Sequence, residues 1–127
     1  MSQSKVRAAI IGTGGIARAH LKAMVEESER VDVVAAVDIE LERVQSFADD
    51  YAIPNSYTDP AAMLAAEQPD LVHIATPPGI HAELSVLALE SGAWVLCEKP
   101  LCASLAEMDR IEAAEQETGN YCSSVFQ

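Results

Sequence analysis

Lys5-Val6-Arg7-Ala8-Ala9-Ile10-Ile11 runs straight into Gly12-Thr13-Gly14-Gly15-Ile16-Ala17, and further on Val31-Asp32-Val33-Val34-Ala35-Ala36-Val37 ends at Asp38. The first stretch reads as an apolar strand, the second as a glycine turn opening a helix, and the third as another apolar strand closed by a carboxylate. A βαβ dinucleotide-binding unit requires that order. Gly12 permits the sharp turn off the strand. Gly14 lacks the Cβ that would hold a pyrophosphate away from the backbone, and Gly15 and Ile16 complete the candidate phosphate loop. Ala17 takes the third position of the fingerprint, where only a small side chain lets helix and sheet approach closely. An anion there meets unpaired N–H groups at the positive end of a helix dipole. Asp38 follows Ala17 by about 20 residues, the remove at which an acid accepts hydrogen bonds from an adenosine ribose.

At 127 residues the chain is expected to be one domain, residues 1–127, with a core of its own. Half of it is apolar and only 5% aromatic, which suits closely packed parallel strands and helices. Eight basic residues against 20 acidic ones give a formal charge of −12, which disfavours nucleic acid and anionic membranes as partners. A dinucleotide is also an anion, so its site must rely on local N–H dipoles and a few cations. Met1-Ser2-Gln3-Ser4 has no apolar signal core and no stretch approaches a membrane span, so a cytoplasmic location is the default expectation. Cys97, Cys102 and Cys122 have no paired-ligand metal spacing and read as buried reduced thiols, with no metal expected.

Beyond the first βαβ unit, strand and helix signals keep alternating. The first helix is predicted from about Gly15 to Glu27, with Ala17, Leu21, Met24 and Val25 on its apolar face. On its first turns, Arg18 is in reach of a phosphate and His20 is a surface or helix-packing residue. Leu41, Val44, Phe47, Ala48 and Tyr51 mark a second helix, with Arg43 turned to solvent. Asn55-Ser56-Tyr57 is a short edge strand, and Asp59-Pro60 supplies an N-cap and a first helical proline for a helix reaching Glu67. Leu71 to Ala75 is a buried parallel strand with His73 inside it. Thr76-Pro77-Pro78-Gly79 is a rigid loop, and His81 opens a helix through Ser91. Ala93 to Cys97 is a strand ending at Glu98-Lys99-Pro100. Ser104-Leu105-Ala106-Glu107 is a capping box for a helix carrying Leu105, Met108 and Ile111 inward to Gly119, and Tyr121 to Phe126 is a last strand. The fold class is therefore α/β, a doubly wound parallel sheet, with predicted strand order 3-2-1-4-5-6.

Three carboxyl-end loops converge in such a sheet: Gly12 to Gly15, Thr76 to Gly79, and Glu98 to Pro100. Lys99 is the catalytic candidate, its ammonium hydrogen-bonding a substrate oxygen where negative charge develops. Spacing equally allows a surface lysine paired with Glu98. Asp38 followed by Ile39-Glu40 argues for NAD over NADP, because two acids repel a 2′-phosphate.

Gly12-Thr13-Gly14-Gly15-Ile16-Ala17 with Arg18 and His20, Ala75-Thr76-Pro77-Pro78 with His81, and Gly92-Ala93-Trp94-Val95-Leu96-Cys97-Glu98-Lys99-Pro100 resemble the N-terminal half of the glucose–fructose oxidoreductase, inositol dehydrogenase and MocA family. The resemblance covers nearly the whole chain, and Glu-Lys-Pro after a Gly-Ala strand is its most specific part. It implies an NAD(P)-dependent dehydrogenase acting on a small sugar or polyol. On that pattern Lys99 contacts the substrate oxygen beside the hydride centre, and Thr76, Pro77 and Pro78 line the nicotinamide and its ribose. His81 takes the following histidine position, and Glu98 lies with them on the cofactor side; Lys99 precedes a candidate cis proline. The pattern also implies a second α+β domain bearing most substrate contacts, which this sequence lacks, and a substrate only if that domain is supplied. A lost domain leaves apolar surface, so a homo-oligomer is an expectation too. A non-catalytic dinucleotide-sensing module is the alternative, and a methyltransferase-like domain ranks last because Glu98-Lys99-Pro100 has no part in it.

Overall fold

The computed structural model describes residues 5–124. Its order is β1 (Val6–Ile11), α1 (Gly15–Glu26), β2 (Val31–Val37), α2 (Leu41–Tyr51), β3 (Asn55–Tyr57), α3 (Pro60–Glu67), β4 (Leu71–Ile74), a 3-10 turn (Pro78–Ile80), α4 (His81–Glu90), β5 (Trp94–Cys97), α5 (Leu105–Thr118) and β6 (Cys122–Ser124). All six strands are parallel, in the order β3-β2-β1-β4-β5-β6. The chain winds outward from β1 in one direction, returns, and winds outward from β4 in the other. The carboxyl ends of β1 and β4 therefore diverge into a crevice, where open α/β sheets bind ligands.

Alternation along β1 builds a core on each face of the sheet. Ala8 and Ile10 pack with Ala17, Leu21 and Met24 of α1 and with Val44, Phe47 and Ala48 of α2. Ala9 and Ile11 pack on the other face with Met63 and Leu64 of α3, Ala88 and Leu89 of α4, and Ile111 and Ala114 of α5. Every second side chain of a strand points to the same face, so one short apolar run serves both layers.

The caps follow local chemistry. Asp59 Oδ2 accepts from the Ala62 N–H at 3.3 Å with Pro60 at the first helical position. Ser104 Oγ accepts from the Glu107 N–H at 3.2 Å, and Glu107 Oε1 accepts in return from the Ala103 N–H, one residue earlier than a strict capping box. Gly119 ends α5 at φ +77°.

Several expectations are corrected. The Thr76 to Gly79 loop contains a turn of 3-10 helix. Leu105 is 83% and Val25 50% exposed, although both were predicted to face inward. Of the cysteines only Cys97 is fully buried, and all three are free. Burial pushes the Cys97 thiol up to about 12 and the Cys122 thiol up to about 11, so both stay protonated and unreactive. β6 spans Cys122–Ser124, and the remainder of the predicted last strand lies outside the described residues. Among the described residues no helix is long and apolar enough to cross a membrane.

Candidate functional site

The loops after β1, β2 and β4 enclose a cavity of about 410 Å³. Of the residues predicted from sequence, Gly12, Gly14, Gly15, Ile16, Asp38, Thr76 and Pro77 line it. Gly12 sits at φ +99° with its N–H bonded to the Val37 carbonyl at 2.8 Å, which turns the chain sharply off β1. Gly14 and Gly15 start α1 with nothing within 4 Å of where a Cβ would stand, and α1 has no side-chain N-cap. Bare backbone N–H groups at a helix N-terminus, facing open space, are the donor set a phosphate takes. The cradle thus fits the pyrophosphate of a dinucleotide.

Across the cavity, Asp38 follows β2 directly, with only 9% of its surface exposed. Its Oδ2 accepts from the Thr13 hydroxyl at 2.7 Å and the Thr13 N–H at 3.1 Å, and its Oδ1 accepts from the Glu40 N–H at 3.1 Å. Burial pushes this carboxyl up, but the bonds from Thr13 and Glu40, with the nearby Arg43 cation, outweigh it and hold the pKa below the usual value. Asp38 is thereby ionised and oriented, ready to accept further hydrogen bonds from a ribose. Thr13 was not foreseen, since the fingerprint leaves its position unspecified.

Arg43 corrects the sequence reading. It was expected to face solvent, yet it borders the cavity with NH1 3.7 Å from Asp38 Oδ2 and NH2 3.0 Å from Glu40 Oε2. Arg18 was expected to reach a phosphate, but its guanidinium lies over Phe47 and Tyr51 and pairs with Asp50 at 3.1 Å.

Pro78, His81, Glu98 and Lys99 do not line the cavity. His81, predicted to touch cofactor, is fully buried, with Nδ1 2.7 Å from the Pro100 carbonyl and Nε2 2.7 Å from the Thr76 carbonyl. Glu98, predicted likewise, directs Oε2 to His20 Nε2 at 2.8 Å. Both side chains have protein partners, which strand-end position alone does not reveal. Lys99 is exposed at the carboxyl end of β5 and joined to Pro100 by a cis peptide.

His20 is buried rather than superficial, and its Nδ1 lies 2.9 Å from Nδ1 of His73. One of these two nitrogens must donate and the other accept. Burial first, and the neighbouring His20 second, push His73 from 6.5 down to about 4. Between those values the unfolded chain binds a proton that the folded chain refuses, so stability falls as pH drops through that window. The loss is expected to reach about 3 kcal/mol. Denaturant melts at about pH 7.5 and about pH 4.5 check it, because His73→Leu should remove most of that difference.

Comparison with known proteins fits this geometry. Residues 6–126 match the family described as "Oxidoreductase family, NAD-binding Rossmann fold". D-apiose dehydrogenase of Paraburkholderia graminis is 36% identical over 91% of this chain and 30% of its own length. Inositol 2-dehydrogenase of Salmonella paratyphi B is 35% identical over 90% of this chain and 34% of its own. The WlbA dehydrogenase of Bordetella pertussis, solved in complex with NADH and UDP-GlcNAcA, superposes with a TM-score of 0.91 at 25% identity, over 96% of this chain and 37% of that one. The chain thus spans about a third of the length of these relatives. With its glycine cradle at the β1–β4 crevice and its match from residue 6 to 126, the chain belongs to the glucose–fructose oxidoreductase, inositol dehydrogenase and MocA family, as an NAD-binding Rossmann domain.

Proposed function

We propose that residues 1–127 form one dinucleotide-binding domain that holds NAD for hydride transfer to or from a secondary alcohol of a sugar or polyol. When bound, the nicotinamide takes up or releases the hydride. The observation that carries this reading is the cavity walled on one side by bare glycine backbone and on the other by an oriented carboxylate. Gly12, Gly14, Gly15 and Ile16 hold the pyrophosphate, Asp38 the adenosine ribose, and Thr76 and Pro77 the nicotinamide end. Lys99 donates a hydrogen bond to the substrate oxygen and stabilises the negative charge that grows on it. The substrate class is supported by relatives named for D-apiose and inositol.

Arg43 is the residue that weighs on NAD against NADP, since an arginine near the ribose can accommodate a 2′-phosphate. Here it is engaged by two carboxylates, Asp38 and Glu40. The trio keeps a net negative charge, which repels a phosphate dianion at short range. Calorimetric titration of the chain is expected to show NADH binding at least ~10-fold tighter than NADPH. Asp38→Ala should weaken NADH ~10-fold and narrow the gap to NADPH by removing one of the two carboxylates that engage Arg43 and face the 2′-phosphate. Equal or tighter NADPH binding by the unaltered chain would overturn the NAD assignment, and saturation with neither would overturn the cofactor site.

A further inference from the structure

Lys99 lies between two residues that histidines hold. On its N-terminal side Glu98 is tied twice: its N–H donates to the Ile74 carbonyl at 2.8 Å, and its carboxylate accepts from His20 Nε2 at 2.8 Å. His20 comes from α1 and is backed by His73 of β4. On the C-terminal side the Pro100 carbonyl is held by His81 of α4 at 2.7 Å. The other nitrogen of His81 lies 2.7 Å from the carbonyl of Thr76, a residue of the cavity wall, so a neutral ring donates to one of the two carbonyls and stands against the other, and a protonated ring donates to both.

These rings occupy positions where an apolar side chain would pack without the cost of burying polar atoms. His20 is 8%, His73 6% and His81 0% exposed. A buried polar ring is destabilising unless its partners are in place, so each ring makes the fold depend on one arrangement of the groups it bonds. Here those groups converge on the same short loop. Glu98 is anchored to β4 and α1, Pro100 to α4, and through His81 the loop is referenced to Thr76. None of the three rings lines the cavity.

We propose that His20 and His81 are positioning residues for Lys99, fixing the residue before it and the residue after it relative to the cofactor cavity. Its value for the reaction rests on the reading of Lys99 given above, because misplacing a reacting group by about 1 Å can cost ~100-fold in rate. The arrangement itself needs no catalysis to be seen.

Backbone ¹⁵N order parameters of the 127-residue chain test it. Glu98→Ala removes the acceptor that His20 holds, at a side chain still 13% exposed. His81→Leu removes the other tether, and His81→Phe, a ring without a donor, stands in for it should the leucine variant fail to fold. In each variant the order parameter of Lys99 is expected to fall from about 0.85 to about 0.6 or below. Amides of β1 and β2 should not change, and Glu98→Gln, whose amide oxygen still accepts from His20, should restore the value. Lys99 as ordered as before in either folded variant would overturn the two-sided clamp. Loosening that spreads evenly over the sheet would overturn it too, by showing a merely structural role. NADH titration reports on the functional reading separately, so a failed cofactor site and a failed clamp give different results.

Discussion

Gly12→Ala is expected to lower the melting temperature of this domain by about 10–20 °C. Two independent costs add. Gly12 has φ +99°, where an L side chain is strained whatever space surrounds it. A Cβ built there would also stand 2.7 Å from the carbonyl carbon and oxygen of Ala75 and 2.9 Å from the Thr76 nitrogen. Those are backbone atoms of the loop after β4, and they cannot swing aside as a side-chain tip can. That loop is itself fixed, for the Ala75 N–H bonds the Ile11 carbonyl at 2.8 Å. Strain of about 1–3 kcal/mol and overpacking of about 1–3 kcal/mol bring the expected cost to about 2–6 kcal/mol. Domains of this size are stable by only about 5–15 kcal/mol, so the variant sits near its limit at ordinary temperature. Thermal melts by circular dichroism measure it; a shift of less than about 3 °C would mean that the β1 and β4 loops do not approach as closely as they are placed.

The same glycine shows why much of the fold was legible in the sequence. A positive-φ turn between an apolar strand and an amphipathic helix leaves a local trace, and so do Asp59-Pro60 and Ser104 with Glu107, whose caps form within a few residues. Strand order follows from the βαβ alternation, since right-handed crossovers leave few alternatives. What stayed hidden depends on contacts far apart in the chain. His20 meets His73 across 53 positions and Glu98 across 78, and nothing near any of the three marks the pairing. Periodicity fixes the angle at which Leu105 leaves α5 but not whether another element lies there, and it lies exposed. Arg18 and Arg43 were misplaced for a related reason. A long cation goes to whichever carboxylates and rings the folded chain brings within reach, Asp50 and two aromatic faces for one, Asp38 and Glu40 for the other.

Gly14→Val separates cofactor binding from architecture in a way that Gly12 cannot. Gly14 has φ −77° and ψ −165°, extended backbone open to any residue, and no atom lies within 4 Å of its absent Cβ. A Cβ there meets no part of the protein beyond its chain neighbours. The only structural cost is a poorer N-cap for α1, about 1 kcal/mol or a few degrees of melting temperature. The two valine methyl groups would stand instead in the space before the first N–H groups of α1, where a pyrophosphate must approach to be bound. NADH affinity is expected to fall at least ~100-fold, a loss of about 3 kcal/mol, with the fold retained. Calorimetry beside a thermal melt reads both quantities from one preparation. Binding within about 3-fold of the unaltered chain would place the anion elsewhere than this loop and leave the glycines with an architectural role only. Loss of binding without loss of fold, set against loss of fold at Gly12, would assign adjacent halves of one turn to different tasks: Gly12 lets β1 and β4 come together, and Gly14 keeps open the space that their divergence creates.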